Sequence, residues 1–292
     1  MTCTWTGLCV AIPTFKRNES LSDVLVSIEA QTVRPSLVLV IDNNPGGEAH
    51  QTVETYAATS AMQIEYLALG KNTGPAGAFA AALETVANHQ EKPEWMMCRG
   101  DDNPFPSTDI IAGIKALRDE TETEKPAGLG IYGKFHYTQH RKEVTSERWA
   151  KVDFIPGGGL PTYHVWSLRD ANLNFDASLF FGFEELDLGL QINQAGLELL
   201  ARRQEQKSYV IAPRRTAPWR TYFGQRNRTI VARKFDTPRA RAGYVAKALY
   251  GAARQLFIAK SPAHAKACLL GVLDGLWGGE PRKSYIPNAN SV

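Results

Sequence analysis

The first third of the chain alternates short apolar runs with longer segments whose apolar positions recur every three or four residues. Residues 8–12 and 37–41 are unbroken apolar runs, as expected of strands that are buried on both faces of a sheet. Between them, the apolar residues are three and four apart from residue 18 to about residue 31, which predicts an amphipathic helix. This part of the chain therefore predicts a β-α-β unit.

The same alternation continues toward residue 100. A helix, a strand, a glycine-rich turn, an alanine-rich helix and a strand are predicted over residues 49–60, 64–69, 70–77, up to about 88 and 95–98. Strands separated by helices favour an α/β fold with a largely parallel sheet that is covered by helices. Farther along, the pattern predicts a helix from about residue 183 to 200 and further helices across residues 240–276.

The composition is that of a globular protein. Of the 292 residues, 43% are hydrophobic and 22% are charged, which excludes disordered and collagen-like chains. No apolar run approaches the ~18 residues of a membrane-spanning helix, and we expect a cytoplasmic protein. The four cysteines are scattered without C-x-x-C spacing, so we predict buried free thiols rather than a zinc site or disulfides.

Charge is divided unevenly along the chain. Residues 1–200 contain 15 lysines and arginines against 26 acidic residues, whereas residues 201–292 contain 18 against 4. Such a tail favours an anionic partner, namely nucleic acid, an acidic membrane surface or the phosphates of a substrate, unless it is simply a solvated basic face. We expect no nucleic-acid partner, because the chain has neither an RNP-type aromatic pattern nor a Cys/His finger.

Polar residues follow each of the first four predicted strands. They are Thr14, Lys16, Arg17, Asp42, Asn43, Lys71, Asn72, Asp101, Asp102 and Asn103. Because ligands bind at the carboxyl ends of strands in open α/β sheets, these side chains predict a site for a phosphate-bearing ligand, with or without a metal. The chain has no GxxxxGK[ST] motif and no GxGxxG after the first strand, which disfavours a P-loop or a dinucleotide-binding protein.

A second group of chemically suitable residues lies between residues 157 and 189. Glu184, Glu185 and Asp187 stand among aromatic residues and leucines where a helix is predicted to begin. Favourable helix electrostatics and general-base chemistry both account for carboxylates at this position, and the residues alone leave the two open. The run 157–159 of three glycines suits either a close approach of backbone to ligand or a plain loop.

The order of these segments resembles a known family. Segments 10–17, 40–44, 71–77, 101–104 and 181–189 together resemble family 2 glycosyltransferases of the GT-A fold, and most of all bacterial rhamnosyltransferases and galactofuranosyltransferases. Segment 220–228 is similar to the aromatic and Arg-Asn segment that follows the catalytic region in that family. The resemblance implies a catalytic domain over residues 1–230, with nucleotide-binding and acceptor-binding halves meeting near residue 105, and a basic helical extension over 231–292.

The activity that the resemblance implies is an inverting sugar transfer. The donor would be dTDP-rhamnose or a UDP-sugar such as UDP-galactofuranose, and the acceptor a hydroxyl of a carbohydrate or lipid-linked acceptor in bacterial cell-surface polysaccharide or glycolipid assembly. Carried over by position, the donor pocket would be lined by Pro13, Thr14, Arg17, Asp42, Asn43, Lys71, Asn72 and Asp101. Glu185 would be the general base, and Asp102 would hold Mg²⁺ or Mn²⁺. The acceptor would meet Glu184, Asp187, Gly158 and Gly159.

The sequence departs from the family pattern at two points. Gly100 stands where the family commonly has the first of three acids, and residues 208–220 lack the histidine that often completes the metal site. We hypothesise that Arg214 and Arg215 supply part of the charge stabilisation for the diphosphate. Two other functions remain open, a degenerate protein that binds a nucleotide sugar without turnover and a sugar nucleotidyltransferase.

The basic extension permits two interpretations. Its apolar stripe at helical spacing, beside Lys247, Arg254 and Lys260, suits packing on the rest of the protein. It also suits a helix that lies on an anionic membrane surface, which would place the protein peripherally on the inner face of the cell membrane.

Overall fold

The computed structural model describes residues 3–134, 136, 149–202 and 217–287. The chain forms two compact units. The first consists of Met1–Ala177 with Glu185–Glu205, and the second of Ser178–Glu184 with Gln206–Val292. The predicted end of a catalytic domain near residue 230 concerns function and stays a prediction.

The first unit is built on one sheet of eight strands among the described residues. The strands are β1 (Cys3–Thr14), β2 (Val33–Asp42), β3 (Gln63–Ala68), β4 (Trp95–Cys98), β5 (Gly128–Gly130), β6 (Ala150–Val152), β7 (Thr162–His164) and β8 (Leu199–Ala201). Their order is β3-β2-β1-β4-β7-β5-β8-β6, with the first four strands parallel. The pair β5–β8 is also parallel, whereas β7 is antiparallel to β4 and β5 and β6 to β8. The predicted mostly parallel α/β sheet is confirmed.

Helices cover both faces of this sheet. They are α1 (Asn18–Glu29), α2 (Ala49–Ala57), α3 (Gly74–Ala87), α4 (Ile110–Glu120), α5 (Val165–Asp170) and α6 (Glu184–Gln194). Alternate residues of β1 join two separate apolar cores, Cys9 and Ala11 on one face and Leu8, Val10 and Ile12 on the other. A strand buried on both faces has few polar positions, which is why the unbroken apolar runs identified these strands correctly.

Two sequence predictions differ from the structure. The helix predicted to run to about residue 200 ends at Gln194, because Gly196 adopts a φ of 75° and the chain then enters β8. The leucines of this stretch are buried in both elements, so apolar periodicity could not separate a helix from a short strand. Of the four cysteines, which are all free, Cys3 is exposed rather than buried.

The second unit contains three long helices, α7 (Pro218–Phe235), α8 (Pro238–Phe257) and α9 (Pro262–Trp277). Gly271 and Gly275 of α9 lie against α7 so closely that a Cβ on either would come 2.5–2.6 Å from a carbonyl oxygen of α7. The helices predicted across residues 240–276 are thus confirmed. Within the part of the chain that the structure describes, no helix has the length and hydropathy needed to cross a membrane.

Candidate active site

The loops after β1 and β4 are joined through the carboxylate of Asp101. Thr14 Oγ1 donates to Asp101 Oδ2 at 2.9 Å, and the backbone N–H of Phe15 donates to the same oxygen at 3.4 Å. Arg17 donates to Asp101 Oδ1 at 3.4 Å. Burial raises the pKa of Asp101, while the Thr14 hydrogen bond and the Arg17 charge act against that rise. The first and fourth strands therefore present one hydrogen-bonded cluster at the carboxyl edge of the sheet. We call Asp101 with Thr14, Phe15 and Arg17 the Asp101 cluster.

Asp102 is the exposed member of the predicted metal motif. Its side chain is 57% exposed, and Arg17 donates to its Oδ2 at 2.6 Å. Among the described residues, no three His, Cys, Asp or Glu side chains are grouped so that they could hold a metal ion. A single accessible carboxylate fits a cation that takes its other ligands from phosphate oxygens and water, which is how Mg²⁺ usually binds. Holding a metal in that way stays the prediction for Asp102, whereas Gly100 has no side chain that could add a ligand.

Asp42 is held inside the protein. It is fully buried, and Oδ1 accepts from the backbone N–H of Asn44 at 2.7 Å. Oδ2 accepts from Ala49, at the start of α2, at 3.3 Å and from the Tyr66 hydroxyl at 2.8 Å. Burial and the bond to Asp42 raise the pKa of Tyr66 to about 12, so this phenol stays a donor. The carboxylate thus has three internal partners that a base contact would have to share or displace.

Asn43 fixes the turn that begins α3. Its Oδ1 accepts from the N–H and the hydroxyl of Thr73 at 2.9 and 2.8 Å, and Asn72 Oδ1 accepts from the N–H of Gly74 at 3.0 Å. Gly74 has a φ of 66°, which a residue with a side chain rarely adopts. Lys71 is exposed one residue before this turn. The N-terminus of α3 therefore points backbone N–H groups and positive potential out of the carboxyl edge of the sheet, as anion binding requires.

Glu185 lies against the three-glycine turn. Its carboxylate accepts a hydrogen bond from the backbone N–H of Gly157, and a Cβ on Gly157 would lie 3.0 Å from Glu185 Oε1. The turn leads directly into β7, whose residue Thr162 pairs with Met97 near the end of β4. Because β7 runs antiparallel to β4, the turn and Glu185 lie at the same sheet edge as the Asp101 cluster. Burial raises the pKa of Glu185 above its usual range.

Glu184 and Asp187, the two carboxylates assigned to the acceptor, are both buried. Asp187 is fully buried and accepts from Gln191 Nε2 at 2.6 Å, one turn along α6. Glu184 is 6% exposed. A Cβ on Gly159 would lie 2.3 Å from the carbonyl oxygen of Tyr132, and one on Gly158 would lie 2.5 Å from the hydroxyl of the same tyrosine. These glycines permit close packing of the turn, which the sequence alone did not distinguish from a plain loop.

Three residues predicted for the donor site, Pro13, Arg214 and Arg215, contribute no side chain to the described site. Arg214 and Arg215 lie outside the described residues, and their role at the diphosphate stays a prediction. Pro13 is buried within β1 and pairs with Ile41 of β2, so it borders the site through its backbone.

The segment that precedes Glu185 has a strained backbone. Phe180 and Phe183 have φ angles of 61° and 74°, in the left-handed region that bulky L-residues rarely adopt, and Gly182 has a φ of 78°. Such conformations cost of order 1–3 kcal/mol each and persist only where the surrounding structure enforces them. They are concentrated at functional sites, and here they lie directly before the first residues of α6.

Asn227 of α7 holds that segment in place. Its fully buried Nδ2 donates to the carbonyl oxygens of Leu179, Phe181 and Gly182 at 2.7, 2.8 and 2.9 Å. Arg226 donates to Asn227 Oδ1 at 2.9 Å, which leaves the amide nitrogen facing the three carbonyls. We refer to Asn227 with its three acceptors as the loop clamp. The Arg-Asn pair in segment 220–228 was its only sequence signal, and the pattern gave no indication of its partners.

A family model fits the chain over the region that carries the sheet edge. The model for glycosyl transferase family 2 matches residues 9–161, which is about half of the chain. The chain belongs to glycosyl transferase family 2. The sequence resemblance to that family is therefore confirmed, and a search of curated proteins finds no match to this glycosyltransferase.

Solved structures with a similar fold support the same assignment. S. aureus TarS 1–349 matches with a TM-score of 0.51 at 16% identity, over 93% of this chain and 72% of that one. The mannosyltransferase PcManGT from Pyrobaculum calidifontis, solved with GDP-Man and Mn²⁺, matches with a TM-score of 0.58 at 15% identity, over 94% and 88%. At these identities the likeness shows the fold, which is GT-A with C-terminal helices.

The raised pKa of Glu185 predicts the acid limb of the pH–rate profile. Glu185 is the predicted general base, and only the ionised carboxylate accepts a proton, so activity should fall as the pH drops through the raised pKa. We expect the acid limb of kcat/KM to lie clearly above 4.5, the ordinary value for this carboxyl. The nearest other acids in sequence are Glu184 and Asp187, on the same turn of α6, and neither is assigned as the base. An acid limb at or below 4.5 would contradict the assignment of Glu185 as base.

A methyl group on Gly157 is expected to disturb Glu185. Its Cβ would come within 3.0 Å of Oε1, so the carboxylate must shift by a few tenths of an ångström. Glu185 is the predicted base, and small displacements of a catalytic group are costly, so we expect Gly157→Ala to lower kcat by about tenfold or more with little change in thermal stability. The matched control is Gly113→Ala, on the exposed face of α4 with nothing within 4 Å, which should keep full activity.

Proposed function

We propose that this family 2 glycosyltransferase transfers a sugar from a nucleoside diphosphate sugar to an acceptor hydroxyl with inversion at the anomeric carbon. The observation that carries the proposal is the convergence at one sheet edge of the Asp101 cluster, the N-terminus of α3 and the carboxylate of Glu185. These supply, in that order, a polar nucleotide contact, a diphosphate contact and a base.

The proposed reaction is a single displacement. Glu185 removes the proton of the acceptor hydroxyl while the acceptor oxygen forms a bond to the anomeric carbon. The bond between that carbon and the diphosphate oxygen breaks, and the nucleoside diphosphate leaves with the electron pair. The raised pKa of Glu185 suits this role, because a base is most effective when its pKa lies near the working pH.

The departing diphosphate needs positive charge. Among the described residues, the guanidinium of Arg17 and the N-terminus of α3 would supply this positive charge. Lys71 is exposed beside that helix terminus. Asp102 would hold a bound Mg²⁺ or Mn²⁺, and such an ion would supply further stabilisation of the leaving oxygen. PcManGT was solved with Mn²⁺ and GDP-Man, and TarS 1–349 with UDP-GlcNAc, which supports nucleotide sugars as the donor class.

The finer assignment of substrates follows the sequence resemblance. The donor proposed is dTDP-rhamnose or a UDP-sugar such as UDP-galactofuranose, and the acceptor a carbohydrate or lipid-linked acceptor in bacterial cell-surface polysaccharide or glycolipid assembly. A lipid-linked acceptor would be met at the inner face of the cell membrane. The residues proposed to contact the nucleotide remain Thr14, Asn43, Asn72 and Asp101. Asp42, which is buried, is proposed to support this pocket through its internal hydrogen bonds.

Thermal stabilisation by nucleotides tests the donor class. A ligand that binds the folded state raises the melting temperature by mass action. UDP, dTDP, GDP and their sugars can therefore be compared by the rise in melting temperature that each one causes. We expect one nucleotide to stabilise the protein, and Asp102→Asn to reduce only the part of the shift that depends on Mn²⁺. If no nucleotide gives a shift, the proposed donor class is wrong. A shift without any turnover would favour the alternative of a degenerate nucleotide-sugar-binding protein.

A further inference from the structure

The exposed apolar side chains of this protein are concentrated in one place. Among the described residues, ten large hydrophobic side chains are exposed, and nine belong to α8, α9 and the turn between them: Leu249, Tyr250, Leu256, Phe257, Ile258, Leu269, Leu273, Leu276 and Trp277. We call these nine the apolar face. Phe257 and Trp277 are 76% and 79% exposed. Exposed apolar residues grouped in this way mark an interaction surface rather than ordinary surface composition.

The geometry of the two helices turns exposed leucines of both helices to one side. A four-residue turn joins α8 to α9, and Cys268 Sγ lies 3.3 Å from the carbonyl oxygen of Ala248, so the helices form an antiparallel hairpin. In both helices an exposed leucine comes one residue after a residue of the mutual contact, as Leu249 follows Ala248 and Leu269 follows Cys268. One residue is about 100° around a helix, and in an antiparallel pair this equal offset leads to the same side.

The surroundings of the apolar face are positively charged. The helices and the turn carry six exposed or partly exposed lysines and arginines, namely Arg239, Arg241, Lys247, Arg254, Lys260 and Lys266. Between residues 237 and 277 the single acid is Asp274, which accepts from Arg282 at 2.6 and 2.8 Å and from Tyr222 at 2.8 Å. Its charge is therefore offset inside the unit, and α8, α9 and the turn between them contain no other acid to balance their six cations.

We infer that the apolar face binds the surface of a lipid bilayer that contains anionic lipid. Helices with one apolar face, aromatic residues and flanking lysines lie in the interface of such a bilayer, with apolar side chains among the acyl chains and cations at the phosphates. A second copy of the chain is a poorer occupant, because a twofold contact would bring Lys247, Arg254 and Lys266 of both copies together. The inference rests on the proposed function only in that a lipid-linked acceptor would be met there.

Sedimentation with vesicles tests this inference without any donor or acceptor. The full chain is mixed with vesicles of phosphatidylcholine alone or of equal parts phosphatidylcholine and phosphatidylglycerol. We expect at least tenfold stronger binding to the anionic vesicles, weakening as salt is raised. The variant Phe257→Ser/Ile258→Ser/Trp277→Ser should lose about tenfold or more of that binding, because it removes the most exposed apolar side chains. These residues are exposed, so the variant is expected to stay folded.

Two controls make the outcome specific. Val26→Ser removes the one exposed large hydrophobic side chain that the described part of the chain has outside the apolar face, and it should bind vesicles as the unaltered protein does. The variant Lys247→Gln/Arg254→Gln/Lys266→Gln should remove the preference for anionic vesicles. Equal vesicle binding by the triple serine variant and the unaltered protein would overturn the inference. So would a dimer in analytical ultracentrifugation that the triple serine variant dissociates.

The result is separable from that of the proposed function. Vesicle binding uses no nucleotide, and nucleotide-induced thermal stabilisation uses no vesicle. If the protein fails to bind vesicles but is still stabilised by a nucleotide, only the inference of membrane binding is overturned. If the protein binds vesicles but no nucleotide stabilises it, the inference of membrane binding holds and the proposed donor class is wrong.

Discussion

Replacing Glu185 with glutamine is expected to lower kcat by about 10²- to 10⁴-fold, the usual contribution of a general base. Glutamine has nearly the same shape, so it can still accept from the N–H of Gly157, but it cannot take the acceptor's proton. Nucleotide binding should be unchanged, because the donor contacts assigned to the nucleotide come from other strands. The measurement is release of nucleoside diphosphate from the donor that the thermal panel identifies.

The same substitution has an expected effect on stability. A carboxyl whose folded pKa is raised holds its proton more tightly in the folded state, so ionisation opposes folding as the pH rises from the unfolded pKa through the folded one. Above that window, Glu185→Gln removes the opposition and should raise the melting temperature. The control is Glu54→Gln on the exposed part of α2, which should change neither property. An active Glu185→Gln enzyme would remove Glu185 from the mechanism.

Replacing Asn227 with alanine should have the next largest effect. It leaves the carbonyls of Leu179, Phe181 and Gly182 without the donor they share, and each buried unsatisfied group costs about 1–3 kcal/mol. Some of these carbonyls can find water, so we expect the free energy of unfolding to fall by about 2–4 kcal/mol. The left-handed conformations of Phe180 and Phe183 should relax once the clamp is gone.

Kinetics distinguish positioning by the loop clamp from simple loss of stability. Asn227→Ala should lower kcat at temperatures where the protein stays folded, because the loop leads directly into Glu185, while KM for the donor stays nearly constant. Asn193→Ala is the matched control, since it also removes one amide donor to a carbonyl, at 2.9 Å, but at an exposed position of α6. A less stable Asn227→Ala enzyme with unchanged kcat would show that the clamp is structural only.

The sequence predicted most of the nucleotide-binding half of the fold. Strands such as β1 and β2 are buried on both faces, so they appear as uninterrupted apolar runs, and the helices between them show one apolar side. The convergence of Thr14 and Asp101 could also be predicted, because parallel strands end at the same edge. The family itself was identified from the order of these polar segments, and the family model confirms it.

Other features depend on long-range contacts that no local pattern encodes. The strands β5, β6 and β7 have three residues each, too few for a period to be recognised. The three hydrogen bonds that Asp42 accepts come from the loop after β2, from α2 and from β3, so its burial could not be predicted from the end of β2 alone. The contact between Gly157 and Glu185 joins residues nearly thirty positions apart, so no local pattern could predict it.

The configuration of the sugar first released is the most direct test of the central proposal. The donor identified by thermal stabilisation is incubated with the enzyme, and the anomeric proton of the product, transferred to an acceptor or to water, is followed by NMR before mutarotation. A single displacement with Glu185 as base predicts a product of opposite anomeric configuration to the donor, formed at least about a hundredfold more slowly by Glu185→Gln. A product that retains the donor's configuration would contradict the proposed mechanism.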